Sequence, residues 1–284
     1  MRLAVLILAC YAPRGLAILE AYFRACDADL LVHVDAKMPI EPFRAHADPA
    51  GRLRFVEPRE SVFWGGFNMV RAVVHLLQAA EQNGGYDRYL LISDDSLPLL
   101  SPGALCARLA EDVEFMEMYR IEPGDRMHRY EGFFMLDSGA TSARGAPVND
   151  REITAECLAA MARLTALRQQ GKKPFSSIHG GSQWWAVRRP LVETILDSYD
   201  NDDWMRESFE FSAIPDEAYF HTIIADRCPP ARFTHFMYTD FSRDPRPYVF
   251  RDADELRALN PHGRLFVRKV DMAAPWLPDL LHTF

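Results

Sequence analysis

Five stretches of the sequence hold side chains whose types and spacing could do chemistry. The first is Val32-His33-Val34-Asp35, an acid closing an apolar run. A carboxylate there can accept hydrogen bonds from a base N–H or from ribose hydroxyls, and it can equally start a turn into Ala36-Lys37. The second is Val62-Phe63-Trp64-Gly65-Gly66-Phe67-Asn68. Paired glycines let backbone approach a ligand closely or take positive φ, Asn68 can cap a following helix, and the aromatic rings suit loop packing. The third is Ser93-Asp94-Asp95, two acids that could hold Mg²⁺ or Mn²⁺ against a diphosphate. The more usual Asp-x-Asp spacing occurs at Asp27 and Asp29, at Asp200 and Asp202, and at Asp252 and Asp254, but none of these follows a suitable strand.

The fourth stretch is Ile214-Pro215-Asp216-Glu217. Proline suits a helix start, and acids in a first turn complement the helix dipole. One of them could instead serve as a general base that deprotonates an acceptor hydroxyl. The fifth is the basic set Arg243, Arg246, Arg264, Arg268 and Lys269. Alternation through Leu265-Phe266-Val267-Arg268-Lys269 cannot put both terminal cations on one strand face, so one or both lies at a strand end or bulge. Such a pair could neutralise a diphosphate without a metal, or it could be a solvated basic edge. His128, His179 and His262 lack metal-ligand spacing, and no Gly-x-Ser-x-Gly elbow is present.

The elements that must position these groups alternate in the first hundred residues. The pattern predicts strands at Leu3–Ala9, Leu30–Val34, Leu53–Val56 and Tyr89–Ile92. It predicts helices at Leu16–Cys26, Ile40–Ala47 and Asn68–Asn83, the last ended by Gly84-Gly85. This β-α-β-α-β order implies a parallel sheet covered by helices, with ligands outside the carboxyl ends of its strands. Asp35 and Asp94-Asp95 stand at those ends. The second half is less regular. It suggests strands at Asp112–Tyr119 and Ser182–Val187, a polar loop over Asp125–Arg144, and helices at Asp150–Gln170, Arg189–Tyr199, Pro215–Ala225 and Asp252–Leu259. One domain over 1–284 is expected, with a nucleotide-binding half to about residue 110 and an acceptor and catalytic half beyond it.

Composition narrows the classes. The chain has 284 residues, 49% hydrophobic and 12% aromatic, which is enough apolar surface for a packed core. Its net charge of −8 argues against a nucleic-acid partner. Five scattered cysteines without a CxxC fit reduced thiols in a cytoplasmic protein, not a zinc site or a disulfide scaffold. The apolar start is short and reads as a buried strand, not a leader. No run approaches the roughly 20 apolar residues that span a bilayer, although the tail around Trp276-Leu277-Pro278 is compatible with peripheral membrane attachment.

Taken in order, these segments resemble the core-2/I-branching glycosyltransferase family, which includes the protein xylosyltransferases. The matching residues are His33-Val34-Asp35 with Lys37, Trp64-Gly65-Gly66-Phe67-Asn68-Met69-Val70, Leu91-Ile92-Ser93 through Leu97-Pro98-Leu99, Gly180-Gly181-Ser182-Gln183-Trp184, Pro215-Asp216-Glu217 with Phe220-His221-Thr222, and Leu265-Phe266-Val267-Arg268-Lys269. The resemblance implies an α/β fold of GT-A type with a mostly parallel central sheet flanked by helices. It also implies an inverting reaction, a UDP-sugar donor carrying N-acetylglucosamine or xylose, a glycan or peptide acceptor, and no metal cofactor. By the same resemblance Asp35 reads the uracil and Trp64 lines the nucleotide-sugar pocket. Gln183 and Trp184 lie beside the donor sugar, Glu217 is the catalytic base, and Arg246, Arg268 and Lys269 hold the diphosphate. Two departures stand out. The family's Ser-Gly-x-Asp-x-Pro reads Ser93-Asp94-Asp95-Ser96-Leu97-Pro98 here, and Gln183 stands where the xylosyltransferases carry an acid. Three other readings remain open: a metal-dependent transferase using Asp94 and Asp95, an inactive nucleotide- or carbohydrate-binding protein, and a glycosidase that would need a second acid.

Overall fold

The computed structural model describes residues 1–134, 136–137, 154–260 and 262–277. In chain order the strands are β1 (Leu3–Ala9), β2 (Ala28–Val34), β3 (Leu53–Phe55), β4 (Arg88–Ser93), β5 (Leu97–Pro98), β6 (Glu114–Phe115), β7 (Tyr119–Arg120), β8 (His179–Gly180), β9 (Trp185–Arg188), β10 (Phe233–Thr234), β11 (Met237–Thr239) and β12 (Phe266–Arg268). Seven of them form the central sheet, in the order β10-β6-β9-β4-β1-β2-β3. β1 runs parallel to β2, from Leu3 opposite Ala28 to Ala9 opposite Val34, and parallel to β4 on its other side. β3 extends the parallel run, while β9 pairs antiparallel with β4 and β6. Every residue of β1, β2 and β4 is buried. That is why β1 reads as an unbroken apolar run and β2 and β4 have apolar centres: in a parallel sheet both faces are covered, and each Leu, Ile or Val withdrawn from water contributes about 1.5–3 kcal/mol.

The helix Asn68–Gln82 lies against β1 and β2. It buries Val70, Val73, Val74, Leu77 and Ala80, the stripe that its spacing predicted. A smaller sheet, β11-β12-β5, carries the carboxyl-terminal basic residues. Its core joins Leu97, Phe250, Val267, Val270 and Leu277 to Ile18 on the first helix, so the segment up to Leu277 folds back over that helix.

Three predicted elements are corrected. Asp112–Tyr119 is not one strand: β6 joins the central sheet and β7 pairs with β8 instead, because the chain turns at Glu117 to meet Gly181 and Ser182. Of Ser182–Val187 only the end from Trp185 is strand, since Ser182 N–H is drawn to the Glu117 carboxylate at 3.1 Å. Pro215–Ala225 is broken into a 3₁₀ turn, Pro215–Glu217, and a helix, Tyr219–Arg227, with Ala218 at φ −141° between them. The first helix starts earlier than expected, at Pro13, with proline in its first turn, and ends at Phe23. Helices at Pro102–Leu109 and Asp203–Glu210, capped by the side chains of Ser101 and Asp202, were not foreseen. Of the helix expected over Asp150–Gln170, Ala155–Gln169 is observed, and residues 150–153 lie outside the described residues, as does most of the loop expected at 125–144.

Candidate active site

A cleft of about 1050 Å³ opens at the carboxyl ends of β1, β2 and β4, where a parallel sheet places its ligands. Asp35, Trp64, Gln183, Trp184, Glu217, Arg246, Arg268 and Lys269 all line it. The structure thus brings together residues from both halves of the sequence.

Asp35 follows β2 directly and is 5% exposed. Its Oδ1 accepts the backbone N–H of Lys37 at 3.0 Å and of Val62 at 3.3 Å, and the Lys37 ammonium lies 2.7 Å from Oδ2. These contacts draw the loop that leads to Trp64 against the strand end.

The two acids after β4 are engaged differently. Asp94 Oδ2 accepts three backbone N–H groups, from Cys10 at 2.8 Å, Tyr11 at 3.1 Å and Ala12 at 2.9 Å, just before the Pro13–Phe23 helix. Asp95 turns toward the smaller sheet, with Oδ1 2.5 Å from the Ser93 hydroxyl and 3.6 Å from Arg268 Nε. Among the described residues no three His, Cys, Asp or Glu side chains converge as a metal-binding group.

β12 ends at Arg268, so the two cations leave the strand at its terminus, as their spacing required. Arg268 Nε donates to Ser93 Oγ at 3.2 Å, and its guanidinium lies 4.6 Å from the centre of the Trp184 ring. Burial pulls Arg268 below its ordinary pKa, and Asp95 and Asp94 oppose that shift. The Lys269 ammonium has no hydrogen-bond or ion-pair partner among the described residues. Arg246 is more exposed and sits 3.3 Å from Asp244.

Glu217 is set by an unusual turn. Ile214 takes the left-handed conformation at φ 56°, and its N–H donates to Gly65 O at 2.9 Å. A β-branched residue rarely adopts that region, which costs about 1–3 kcal/mol and persists where surrounding structure enforces it. The turn also ties the site's two halves together, because Gly181 N–H donates to Glu217 O at 3.0 Å. Arg129 Nη1 lies 3.4 Å from Glu217 Oε2. Burial pushes the Glu217 carboxyl above the ordinary glutamate range, while Arg129 and Arg126 pull it back. A carboxylate so poised is suited to take a proton from a hydroxyl.

A model of the Core-2/I-Branching enzyme family matches residues 14–247. The chain belongs to the core-2/I-branching enzyme family. As a member it is a glycosyltransferase that moves a sugar from a nucleotide sugar. Among solved structures the chain is similar to an active-site mutant of LgtC, at 12% identity over 99% of this chain and 95% of that one, with a TM-score of 0.43. It is also similar to mannose-1-phosphate geranyltransferase from Thermus thermophilus, at 15% identity over 92% and 81%, with a TM-score of 0.36. No curated protein sequence matches.

Within this core-2/I-branching site several neighbours escaped the sequence reading. Arg129, Arg126, Glu117 and Tyr119 line the cleft near Glu217, yet they lie in a stretch without a motif. The exposed aromatic rings of Tyr11, Trp64, Tyr119 and Phe241 all face the cleft as well. Exposed aromatic residues gathered in one cavity are the available signal, and it appears only after folding. The acceptor-side segment expected at 120–170 is described in part, residues 135 and 138–153 lying outside the described residues. Among the described residues no helix is long and apolar enough to cross a membrane. The tail from Pro278 onward also lies outside the described residues.

Proposed function

We propose that the protein is an inverting, metal-independent transferase that moves N-acetylglucosamine or xylose from a UDP-sugar to a hydroxyl of a glycan or peptide acceptor. The observation that carries this reading is the shared cleft, which Glu217, Arg268, Lys269 and Asp35 line together. Asp35 binds the uracil and Trp64 covers the nucleotide. Gln183 and Trp184 flank the sugar. Glu217 accepts the proton of the acceptor hydroxyl as its oxygen attacks the anomeric carbon, so one displacement inverts the configuration. Arg268 and Lys269, with Arg246 at the rim, stabilise the charge that develops on the departing UDP.

The metal-dependent alternative would need Asp94 and Asp95 as ligands. Asp94 already holds three backbone N–H groups and Asp95 faces a guanidinium, which supports the cationic mechanism instead. Glu217→Gln keeps the shape of the base and removes its basicity. It is expected to lower the transfer rate about 10²–10⁴-fold with UDP affinity unchanged, read by UDP release in steady state. A rate within a few-fold of wild type would remove Glu217 from the role of base.

A further inference from the structure

Two buried polar atoms of residues that line the cleft have no hydrogen-bond partner among the described residues. Of the buried side-chain atoms without a hydrogen-bond partner among the described residues, only Asp216 Oδ1 and Gln183 Nε2 belong to residues that line the cleft. Asp216 is 6% exposed. Its carboxyl is touched only by its own backbone N–H, which leaves Oδ1 unpartnered, and Arg129 and Glu217 lie close enough to act on its charge. Burying a carboxyl without a partner is costly, and such groups in folded proteins normally have one. The strained turn through Ile214 enforces this costly position.

The segments that carry the two atoms are joined by a backbone hydrogen bond. Gly181 N–H bonds to Glu217 O, which runs the segment carrying Gln183 alongside the turn carrying Asp216. Next to Gln183 is Trp184, whose ring carries Arg268. A diphosphate joins the ribose to the transferred sugar, and because Asp216 adjoins Glu217, the proposed base, the sugar is the group at this end. One atom accepts a hydrogen bond and the other donates one, and a sugar hydroxyl does both.

We infer that Asp216, paired with Gln183, receives a hydroxyl of the transferred sugar and is a specificity-determining residue of the donor site. This rests on the UDP-sugar reading of the cleft and adds to it a carboxyl distinct from the base. The unpartnered position of Asp216 in the ligand-free protein is then a socket completed by the donor.

The test is calorimetric titration of UDP, UDP-N-acetylglucosamine and UDP-xylose into the whole protein as wild type, Asp216→Ala and Asp216→Asn. Asp216→Ala is expected to weaken a UDP-sugar about 10- to 100-fold, the worth of a hydrogen bond to a charged group, and to leave UDP within twofold. Asp216→Asn keeps an acceptor oxygen without the charge and restores part of the loss. The melting temperatures of the ligand-free variants stay at or above that of wild type, because no bond to another residue is lost. UDP-sugar affinity unchanged in Asp216→Ala overturns the inference while the UDP site stands, and so does an equal loss for UDP and UDP-sugars. A wild-type protein that binds none of the three overturns the UDP-sugar reading and the inference with it.

Discussion

Five contacts converge on the Asp35 carboxylate: two backbone N–H groups, the Lys37 ammonium on both oxygens, and the Cys10 thiol at 3.7 Å from Oδ2. A residue that merely started a turn would need one of these. The arrangement fixes the carboxylate's direction at the strand end, so little ordering remains when a base N–H arrives. Lys37 is partly exposed, and the pair is worth little as a surface ion pair; its use is orientation. Asp35→Ala is therefore expected to lower UDP affinity about 10- to 100-fold while unfolding remains cooperative, as calorimetry and a thermal melt would show together. An unchanged UDP affinity would take Asp35 out of the nucleotide site.

Between elements, the join of β2 to the cleft loop is sensitive to protons. His33 is buried on β2, and its Nε2 accepts Glu60 N–H at 2.8 Å, which requires the neutral ring. Burial lowers its pKa to about 4, with His75 adding to the effect and Glu60 and Asp35 opposing it. His221, buried on the helix Tyr219–Arg227, is lowered by burial to about 3. A base whose pKa falls on folding contributes stability above its ordinary value of 6.5, and this is lost as pH falls toward the folded value. Asp216, raised by burial to about 7, has the opposite sign: its contribution is complete below the ordinary aspartate range and is lost as pH rises to 7. Glu217 and Asp94, also raised by burial, share the sign of Asp216, and His179, lowered by burial, shares that of the two histidines. Between about pH 6.5 and about 4.5 His33 should accordingly add about 1.4 kcal/mol per pH unit to the slope of stability against pH, read from urea midpoints. His33→Gln should flatten that slope, and an equally steep slope in the variant would exclude His33 as a source.

Elements were legible in the sequence in proportion to how local their causes are. β1, β2 and β4 and the helix Asn68–Gln82 were recovered to within a few residues, because their burial imposes a pattern on consecutive side chains. The turn at Pro215–Glu217 was not, because its break depends on Ile214 meeting Gly65, far away in the chain. The split of the strand predicted at Asp112–Tyr119 likewise depends on Glu117 reaching Ser182. No periodicity encodes a contact of that span.

For the molecule as a whole, charge is unevenly spread. The chain carries −8, yet among the described residues the cleft is balanced, with Arg126, Arg129, Arg246, Arg264, Arg268 and Lys269 beside the carboxylates of Asp35, Asp94, Asp95, Glu117, Asp216 and Glu217. The net charge argues against an extended polyanion as partner, while the cavity supplies cations locally for a compact one. At this scale the candidate site was legible as a set of motifs in order, and their convergence at the strand ends followed from the parallel sheet. What the sequence did not disclose is the far wall around Arg129 and Tyr119, whose residues acquire meaning only beside Glu217.

The claim on which the account turns is that side-chain cations, and no metal, hold the diphosphate. Titration of UDP into the wild-type protein in EDTA, repeated with Mn²⁺, addresses it directly. Micromolar binding is expected in EDTA, unchanged by Mn²⁺ and abolished by Arg268→Ala together with Lys269→Ala. Binding that appears only with Mn²⁺ would move the diphosphate to Asp94 and Asp95 and contradict the account.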